Sequence, residues 1–388
     1  MRSNLSSGTL TIYLEGRIDS NNAEKIGAEI EECRAQNPSG RVIVDCEQLA
    51  YVSSAGLRQF LKLRKSTASL TFTNVQSDVY DILDMTGFTE MMDVQKAFRP
   101  MSVEGCEIIG EGSNGIVYRI DEETIIKVYR NSDAIDDIKK ERELARKALI
   151  LGLNTAISFD IVKVGDSYGS VFELVSSKSL SKLIASEPEK TDFYVGILAD
   201  TLKEIHQTDA PDANLPSARE IALRWARWLE GRIDAGHYEK LIAMIKTVPE
   251  DTHLIHGDYH TSNVHYANGE AILIDMDTLS VGNPIFEWGS IFMGFVGFGQ
   301  TDRQAPLKSI KMTFEEATRI FDRLFDIYFA DRISNPDFKD GTLAKIRVLA
   351  YTRLLRRTMR RDPDNVGAIR FYKDSLIENL DKIETLMI

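Results

Sequence analysis

Hydrophobic positions in the first hundred residues alternate between the periods of strands and of helices. Leu10, Ile12 and Leu14 alternate with more polar neighbours, which predicts a half-buried strand. Short apolar runs at 42–44 and 70–72 predict two more strands. Between and after these strands, apolar residues recur at helical spacing, namely Ile26, Ile30, Cys33, Leu57, Phe60, Leu61, Val79, Ile82 and Leu83. The pattern predicts an α/β unit in the order βαβαβα, with helices packed on a sheet.

The chain changes character near residue 100. Arg99-Pro100 indicates a short connector, and we expect domains at residues 1–98 and 99–388. The second domain begins with a β-rich stretch at about 101–176 and continues with mainly helical periodicity at about 177–388. The expected architecture is therefore a small α/β domain followed by a larger α+β domain with two lobes.

A glycine-rich segment lies at the start of the second domain. Residues 110–117 read GEGSNGIV, which fits the pattern GxGxxGxV. Glycines let the backbone approach phosphate oxygens and present N–H groups to them, although a plain glycine-rich hairpin would show the same pattern. A dinucleotide-binding fold needs a helix directly after the loop, but here strands are expected at 116–120 and 125–129 with a turn at 121–124. The candidate nucleotide-binding residues of the loop are Gly110, Gly112, Ser113, Asn114, Gly115 and Val117.

Lys127 stands in the second of these strands, among apolar residues. A buried lysine needs a partner of opposite charge, whereas a lysine at a strand edge can extend its amino group to water. The helical stretch that follows contains Glu141 and Glu143. One of them could pair with Lys127, as a strand lysine pairs with a helix glutamate in protein kinases. The alternative for each glutamate is an exposed helix face.

The strongest chemical signal is the segment 254–264, LIHGDYHTSNV, which contains the pattern HxDxxxxN. Asp258 is the candidate general base, because a carboxylate can accept the proton of an attacking hydroxyl. The carboxamide oxygen of Asn263 can bind Mg²⁺, a hard cation that prefers oxygen ligands. Asp275 follows the apolar strand at 271–274 and can hold the same metal against the phosphates of ATP.

Zinc is the competing interpretation, because this part of the chain contains His253, His256, His260 and His265. Their spacing fits no common zinc pattern, and no cysteine stands near them. We expect His256 instead to hold the loop by hydrogen bonds, and His206 to act similarly in the helical core. The three cysteines of the chain are widely spaced and fit neither a disulfide framework nor a zinc pattern, which favours a reducing cytosol.

Composition narrows the class of partner. A length of 388 residues suggests two or three domains, and a net charge of −12 argues against non-specific nucleic-acid binding. The first residues show no signal-peptide core, and the longest apolar run, at 291–299, is too short to cross a bilayer. We expect a cytoplasmic protein with no nucleic-acid or membrane partner. The acidic total charge is compatible with a cationic acceptor.

In chain order, the glycine loop, Lys127, Glu141 and the segments HGDYHTSN and LIDMD resemble the aminoglycoside-phosphotransferase and choline-kinase-like branch of the protein-kinase fold. The resemblance covers about residues 101–388. It implies a bilobal kinase-like fold, ATP and Mg²⁺ as cofactors, and a hydroxyl of a small molecule as the acceptor. It also favours Glu141 over Glu143 as the partner of Lys127, because the distance of Glu141 from Gly152 matches the family spacing.

The resemblance assigns roles to individual residues. It makes Asp258 the catalytic base and makes Asn263 and Asp275 the metal ligands. Asp277 would assist the metal or bond the loop. The segment 172–175 resembles the hinge of the family, whose backbone would meet adenine, and its candidate residues are Glu173 and Val175.

Two departures from the family occur in the segment 282–288, which reads GNPIFEW where the family has GDPxxDL. Asn283 and Glu287 replace the aspartates, and both are expected to lie outside the chemical core. The acceptor pocket is expected to come from residues 207–250 and from the region after Gly299. Aromatic and basic residues of these regions are Trp225, Trp228, Arg353, Arg356, Arg357, Arg360 and Arg361. We interpret the tryptophans as core residues and the arginines as an exposed helix face.

Segments of the first domain resemble the STAS domain of bacterial anti-sigma-factor antagonists. They are residues 16–19, 44–45, 51–57 and 86–88, within a match over 8–98. In that family a serine in the motif DSSGL is phosphorylated to switch partner binding, and the match places it at Ser54, between Ser53 and Ala55, which both depart from the motif. A phosphate on Ser54 would meet the N-terminus of the second helix and would add negative charge to a docking surface.

Small polar residues precede two of the predicted helices, and such residues bond the free N–H groups of a first turn. Ser20 or Asn21 is expected to cap the first helix. Ser53 or Ser54 could cap the second helix, which is the structural alternative to phosphorylation.

The sequence leaves three functions open. The first is an ATP-dependent phosphotransferase, a kinase, that acts on a small-molecule hydroxyl and carries a regulatory STAS domain for a protein partner. The second keeps the same catalyst but acts on a protein serine, either Ser54 itself or the serine of a partner. The third is a catalytically silent nucleotide-sensing module, against which the intact Lys127, Asp258, Asn263 and Asp275 argue.

Overall fold

The structure, a computed structural model, describes residues 1–112, 114–132, 134–174 and 177–388. Contacts divide the chain into two compact units, residues 1–102 with 161–166 and residues 103–160 with 167–388. The predicted boundary between residues 98 and 99 lies just before this division, and as a domain limit it stays a prediction. Within the described residues, no helix is both long and apolar enough to span a bilayer.

The first unit is a sheet of five strands combined with helices. Its elements are β1 (Arg2–Ser6), β2 (Thr9–Ile18), α1 (Ala23–Gln36), β3 (Arg41–Val52), α2 (Ser54–Ser66), β4 (Ser69–Val75), α3 (Ser77–Met85), α4 (Phe88–Met91) and β5 (Asp93–Lys96). The strands lie in the order β1-β2-β3-β4-β5, with β1 antiparallel to β2 and the other pairs parallel. Helix α2 packs on the sheet through Phe60, whose ring centroid lies 4.9 Å from that of Phe72 in β4.

The βαβαβα order predicted from the sequence is confirmed for β2 through α3. The outer strands β1 and β5 extend the sheet at its two edges and were not predicted, because both are short and largely exposed. The expected cap of α1 is wrong. The helix begins after Asn22, which makes no side-chain cap; the Asn22 Oδ1 instead accepts a hydrogen bond from the Asp19 N–H at 2.9 Å.

Two adjacent serines at the start of α2 have different surroundings. Ser53 is the N-cap, with extended backbone, and its Oγ accepts a hydrogen bond from the Gly56 N–H at 3.4 Å. Ser54 is the first helical residue and is exposed. Gly56 is buried against Ile18 and Val52, and a Cβ at this position would lie 2.7 Å from methyl groups of both. The capping role therefore falls on Ser53, and the Ser54 side chain faces solvent.

The remaining elements lie in the second unit, apart from most of one strand. They are β6 (Glu107–Glu111), β7 (Gly115–Arg119), β8 (Thr124–Tyr129), α5 (Ile135–Ile150), β9 (Asp160–Val164, most of which belongs to the first unit), β10 (Ser167–Glu173), β11 (Lys178–Ser179), α6 (Leu180–Ser186), α7 (Thr191–Gln207), α8 (Ala218–Arg227), α9 (Ala235–Thr247), β12 (Leu254–Ile255), β13 (Val264–Ala267), β14 (Glu270–Leu273), β15 (Ser280–Val281), α10 (Ile285–Phe292), α11 (Ala305–Ile310), α12 (Phe314–Tyr328), α13 (Pro336–Arg361) and α14 (Val366–Asp381). Strands β6, β7, β8 and β10 form an antiparallel sheet in that order.

The helical part of the second unit is built around a buried aromatic cluster. Trp288 of α10 is fully buried and meets Phe325 of α12 at 5.4 Å between ring centroids. A π-helical turn, Met293–Gly297, follows α10. Helices α10 and α13 pack closely, since a Cβ added at Gly289 would lie 2.9 Å from the Leu349 Cβ. This packing brings α13 beside the loop between β12 and β13, which carries the HxDxxxxN pattern.

Replacing Ser53 by alanine is expected to lower the free energy of unfolding of the first unit by about 1 kcal/mol, because an N-cap is lost. Ser54→Ala should change it by only a few tenths of that amount, since Ser54 caps nothing. Urea unfolding of the full chain, followed by circular dichroism, measures both. Equal losses for the two variants would contradict the assignment of the cap.

Candidate active site

Lys127 of β8 lies between two carboxylates from distant parts of the chain. Its Nζ donates to Glu141 Oε1 of α5 at 2.9 Å and to Asp275 Oδ1 at 3.4 Å. The Lys127 side chain keeps only 19% of its exposure. Burial acts to lower the pKa of Lys127, but the charges of Asp275 and Glu141 outweigh it and raise the pKa above its usual value. The lysine is therefore a fixed cation, and the expected pairing with Glu141 is present. Glu143 instead bonds Arg146.

A tyrosine holds the second oxygen of the same glutamate. The Tyr129 hydroxyl donates to Glu141 Oε2 at 2.9 Å and contacts Ser170 Oγ at 3.2 Å. Burial raises the pKa of Tyr129, so the phenol stays a neutral donor. Glu141 is thus held by one cation and one hydroxyl, which leaves its carboxylate little freedom to turn away from Lys127. The sequence patterns did not point to Tyr129.

The glycine-rich segment joins β6 and β7, which pair antiparallel, and its role in binding phosphate stays a prediction. The Gly112 N–H donates to the Gly115 carbonyl at 2.9 Å and closes the turn. A Cβ at Gly115 would lie 2.5 Å from the Val128 carbonyl oxygen, so this position admits only glycine. Val117 is the register partner of both Gly110 and Lys127, which places the loop strands directly beside the lysine.

For the remaining candidate nucleotide-binding residues, the structure shows fewer contacts that bear on nucleotide binding. The Asn114 carbonyl accepts from the Arg130 N–H at 3.0 Å, which fixes the backbone of the hairpin. Glu173 ends β10, is exposed, and pairs in register with Thr124. The predicted roles of Ser113 and Val175 lie outside the described residues. The role of Glu173 at a hinge stays a prediction.

Asp258 and Asn263 lie on the loop between β12 and β13 and are joined within it. Asn263 is buried, and its Nδ2 donates to the Asp258 carbonyl at 2.9 Å. The Asp258 side chain keeps 39% of its exposure, so its carboxylate is open to a substrate. The Asn263 carbonyl accepts from the Ile274 N–H at 3.0 Å, which brings this loop against the residue before Asp275. The structure thus gathers Lys127, Glu141, Asp258, Asn263 and Asp275 into one region.

Histidines hold the loop, as expected for His256. Its Nε2 lies 3.2 Å from the Ile274 carbonyl, and its Nδ1 accepts from the Asp258 N–H at 3.4 Å. Burial lowers the pKa of His256, so the ring is neutral and its Nε2–H is the donor. His206 contacts the Tyr328 hydroxyl at 2.7 Å in the helical core. Among the residues that the structure describes, no group of three His, Cys, Asp or Glu side chains could hold a metal ion in the manner of zinc.

Glu287, which was expected to lie outside the chemical core, supports the loop through the peptide groups that precede Asp258. Its carboxylate is fully buried and accepts from the His256 N–H at 2.5 Å and the Gly257 N–H at 3.0 Å. Arg353 of α13 donates to the Gly257 carbonyl at 3.0 Å and to Ser290 Oγ at 2.7 Å. A carboxylate and a guanidinium therefore clamp the peptide groups that precede Asp258. The sequence pattern did not indicate these contacts, because Arg353 is distant from Gly257 in the sequence.

Backbone geometry adds to this rigidity at two positions. Gly257 has φ +85°, and a Cβ there would lie 2.8 Å from the Thr278 carbonyl oxygen, so only glycine fits. Asp275 adopts a left-handed conformation with φ +63° at the start of the 3₁₀ turn Met276–Thr278. Strained non-glycine residues of this kind are concentrated at functional sites. The turn aims Asp275 toward Lys127.

The donor set fits a divalent cation of the Mg²⁺ type. The Asn263 amide nitrogen is engaged by the Asp258 carbonyl, so its Oδ1 is the atom that remains for a ligand. Burial raises the pKa of Asp277, and the charges of Asp275 and Glu141 raise it further. A hard cation beside Asp275 and Asn263 would relieve that repulsion. These residues can therefore hold a metal, with Asp277 next to it.

The site has the features of an enzyme that transfers phosphoryl groups, and comparison with known families agrees. The sequence model of the phosphotransferase enzyme family matches residues 105–311, which is more than half of the chain. The chain belongs to the phosphotransferase enzyme family. The predicted class of enzyme and the kinase-like fold of the second domain are confirmed.

The first unit is a STAS domain, as predicted. The STAS family model matches residues 3–100. A Bordetella bronchiseptica protein named "Putative anti-sigma factor antagonist BtrV" is 32% identical over 91 residues, which cover 22% of this chain and 78% of that protein.

Solved structures similar to the chain are aminoglycoside phosphotransferases. A thermostable variant of the enzyme APH(4)-Ia, in a ternary complex with AMP-PNP and hygromycin B, is 16% identical, covers 71% of this chain and 93% of its own, and has a TM-score of 0.49. The gentamicin complex of APH(2")-IIa is 12% identical, covers 81% and 99%, and has a TM-score of 0.46.

The buried Glu287 carboxylate should make stability fall as the pH rises. Burial raises the pKa of Glu287 to about 7 from an ordinary value of 4.5. The folded state therefore binds the proton more tightly than the unfolded state. The stabilisation is fully present below about pH 4.5 and is lost as the pH rises through about 7, by about 2–3 kcal/mol.

Glu287→Gln should remove this part of the pH dependence, which urea unfolding at pH 5 and at pH 8 can measure. The exposed Glu315 provides the matched control, since Glu315→Gln should leave the pH dependence as in the wild type. An unchanged difference between the two pH values in Glu287→Gln would contradict the burial of this carboxylate in the folded state.

Proposed function

We propose that this protein transfers the γ-phosphoryl group of ATP to a hydroxyl of a small molecule. The observation that carries the proposal is the ion pair of Lys127 with Glu141 and Asp275, beside the loop that presents Asp258. The pair supplies a fixed cation for phosphate oxygens, and the loop supplies an open carboxylate for an attacking hydroxyl. Phosphoryl transfer needs mainly such positioning and charge stabilisation.

The nucleotide would lie under the glycine hairpin. Val117 pairs in register with both Gly110 and Lys127, so the backbone of the glycine-rich segment lies beside the lysine, where N–H groups would suit phosphate oxygens. When bound, Mg²⁺ would neutralise the charge of the phosphates. Asn263 and Asp275 would hold it.

The acceptor hydroxyl would approach Asp258. As its oxygen forms the bond to the γ-phosphorus, the bond from phosphorus to the β-phosphate oxygen breaks and ADP leaves. The hydroxyl proton passes to the Asp258 carboxylate. The Glu287 and Arg353 contacts to Gly257 keep that carboxylate in position.

A protein serine is the second candidate acceptor, favoured by one observation. Ser54 is exposed at the first turn of α2 and its hydroxyl is not used as a cap, since Ser53 has that role. A phosphate on Ser54 would lie at a helix N-terminus, where backbone N–H groups and the helix dipole favour negative charge. The STAS domain would then serve as a switchable surface for a protein partner. A silent nucleotide sensor accounts less well for an open Asp258 on a loop clamped from both sides.

Replacing Asp258 by asparagine is expected to lower kcat for phosphoryl transfer about a hundredfold to ten-thousandfold, because the proton acceptor is lost. Nucleotide affinity should stay within a few fold of the wild type. ADP release with a panel of hydroxyl compounds and a titration with AMP-PNP and Mg²⁺ measure the two quantities. Asp331→Asn is the matched control, since Asp331 is exposed in the same lobe. Full activity of Asp258→Asn would contradict the assignment of the base.

The mass of the intact protein after incubation with Mg-ATP separates the two acceptors. A gain of one phosphoryl group that is absent in Ser54→Ala and in Asp258→Asn would favour the protein serine. Turnover of a small molecule with no gain of mass would favour the first candidate.

A further inference from the structure

A group of arginines on α13 stands beside the catalytic loop. We name Arg353, Arg356, Arg357 and Arg360 the arginine cluster; Arg224 of α8 lies next to it. Arg353, Arg356 and Arg357 are half-buried, whereas Arg360 and Arg361 are exposed. The interpretation of this stretch as a plain exposed helix face is therefore wrong for its first three members, because α13 packs them against α8 and α10.

Within the cluster, Arg353 is close to the carboxylates of Asp258, Glu287 and Asp277, whereas the other members have no such set of partners among the residues that the structure describes. Arg356 and Arg357 form no ion pair with any carboxylate of the described residues, and the same holds for Arg224 and Arg360. The Arg356 Nε is fully buried and bonds no group within the described part of the chain. Burial lowers the pKa of Arg356, and repulsion from Arg360, Arg224 and Arg353 lowers it further.

Unpaired guanidinium groups at such a density are unfavourable unless an anion joins them. The chain as a whole carries a net charge of −12, so the cluster does not follow from a basic composition. A guanidinium presents a planar fork of N–H donors that matches a carboxylate or a phosphate. The local charge is therefore complementary to an anion, although the total charge of the chain suggested a cation.

The cluster is also adjacent to the reacting group. Arg353 donates to the Gly257 carbonyl at 3.0 Å, directly before Asp258. Arg357 lies four residues further on and therefore on the same face of α13. Its guanidinium carbon is 5.3 Å from the ring centroid of Phe298, just after the π-helical turn whose Gly294 faces His260. Burial and repulsion from Arg361 and Arg353 lower the pKa of Arg357, and only the charge of Asp258 acts against them.

Arg353 is committed to the loop, since it also bonds Ser290 and stacks on Trp225 at 4.8 Å. Arg356 and Arg357 are the members that remain for a ligand. We propose that the acceptor is a small hydroxyl compound that also carries a carboxylate or phosphate group, which Arg356 and Arg357 bind while its hydroxyl faces Asp258. This inference rests on the proposed function and names the chemical class of its acceptor.

Anion binding tests the inference without turnover. Inorganic phosphate and citrate are titrated by calorimetry into the wild-type protein with ADP and Mg²⁺ present, so that the nucleotide site is occupied. The wild type should bind at least one of them, and the double variant Arg356→Gln/Arg357→Gln should bind it about tenfold or more weakly. Arg370→Gln, which removes an exposed arginine paired with Asp374 on α14, is the matched control and should bind as the wild type does. Circular dichroism melting shows whether each variant is folded.

No binding by the wild type, or equal binding by the folded double variant, would overturn the anion inference. Neither result bears on the proposed phosphotransferase activity, which the Asp258→Asn variant tests separately. If the double variant fails to fold, the single variant Arg357→Gln replaces it. The Arg357 side chain is only half-buried, so this single substitution disturbs the fold less.

Substrate preference gives a second readout. Glycerol, glycerate, glycerol 3-phosphate and choline offer hydroxyls of similar size with neutral, carboxylate, phosphate and cationic groups. We expect kcat/KM to be higher for glycerate or glycerol 3-phosphate than for glycerol, and Arg357→Gln to raise the KM of the preferred acceptor with kcat and the KM of ATP nearly unchanged. The better of the two anions distinguishes a carboxylate from a phosphate. Higher kcat/KM for choline or glycerol would overturn the inference.

Discussion

The Lys127 ammonium between Glu141 and Asp275 is the interaction on which the rest of the site depends. It joins the strand β8, the helix α5 and the turn after β14 at one buried cation. A buried charge is unfavourable without partners, and removing Lys127 would leave two carboxylates without their shared cation. The pairing thus fixes, in one step, the positions of the lysine and of the carboxylate to which we assign the phosphates and the metal in the proposed function. The glycine hairpin is aligned with it through the register of Val117 and Lys127.

A second constraint acts on the catalytic loop from the opposite side. Glu287 accepts the N–H groups of His256 and Gly257, while Arg353 donates to the Gly257 carbonyl. Because peptide groups satisfy these buried charges, the Asp258 carboxylate is not needed as a partner and stays open to a substrate. The same helix that supplies Arg353 continues into Arg356 and Arg357. The support of the loop and the positive charge beside it therefore have a common origin in the position of α13.

Much of the fold and of the site could be predicted, where local pattern determines structure. The strands and helices from β2 to α3 follow from period and breaker residues, whereas the choice of Glu141 over Glu143 as the partner of Lys127 came from the resemblance to the kinase family. For the N-cap of α2, the sequence left Ser53 and Ser54 as alternatives. The two residues are identical in type, and only the backbone, extended at Ser53 and helical at Ser54, shows which one caps the helix. Strands β1 and β5 have too few apolar positions to be recognised.

The roles of Glu287 and the arginine cluster could not be predicted for a different reason. Their partners on the catalytic loop are about thirty and a hundred residues away in the chain, and periodicity along one helix says which residues share a face but not what covers that face. Arg353 and Arg357 share a face with the same spacing as any exposed basic pair. Only the packing of α13 against α10 shows that this face meets Gly257 and Asp258.

The most direct test of the central claim is the Mg²⁺ dependence of nucleotide binding. AMP-PNP is titrated by calorimetry into the wild type, Lys127→Met and Asp275→Asn, each with Mg²⁺ and with EDTA. The account predicts that the wild type binds about tenfold or more tightly with Mg²⁺, that Asp275→Asn loses this gain, and that Lys127→Met binds weakly in both conditions. Equal affinity of all three proteins for AMP-PNP with Mg²⁺ would contradict the claim that this ion pair builds the phosphate site.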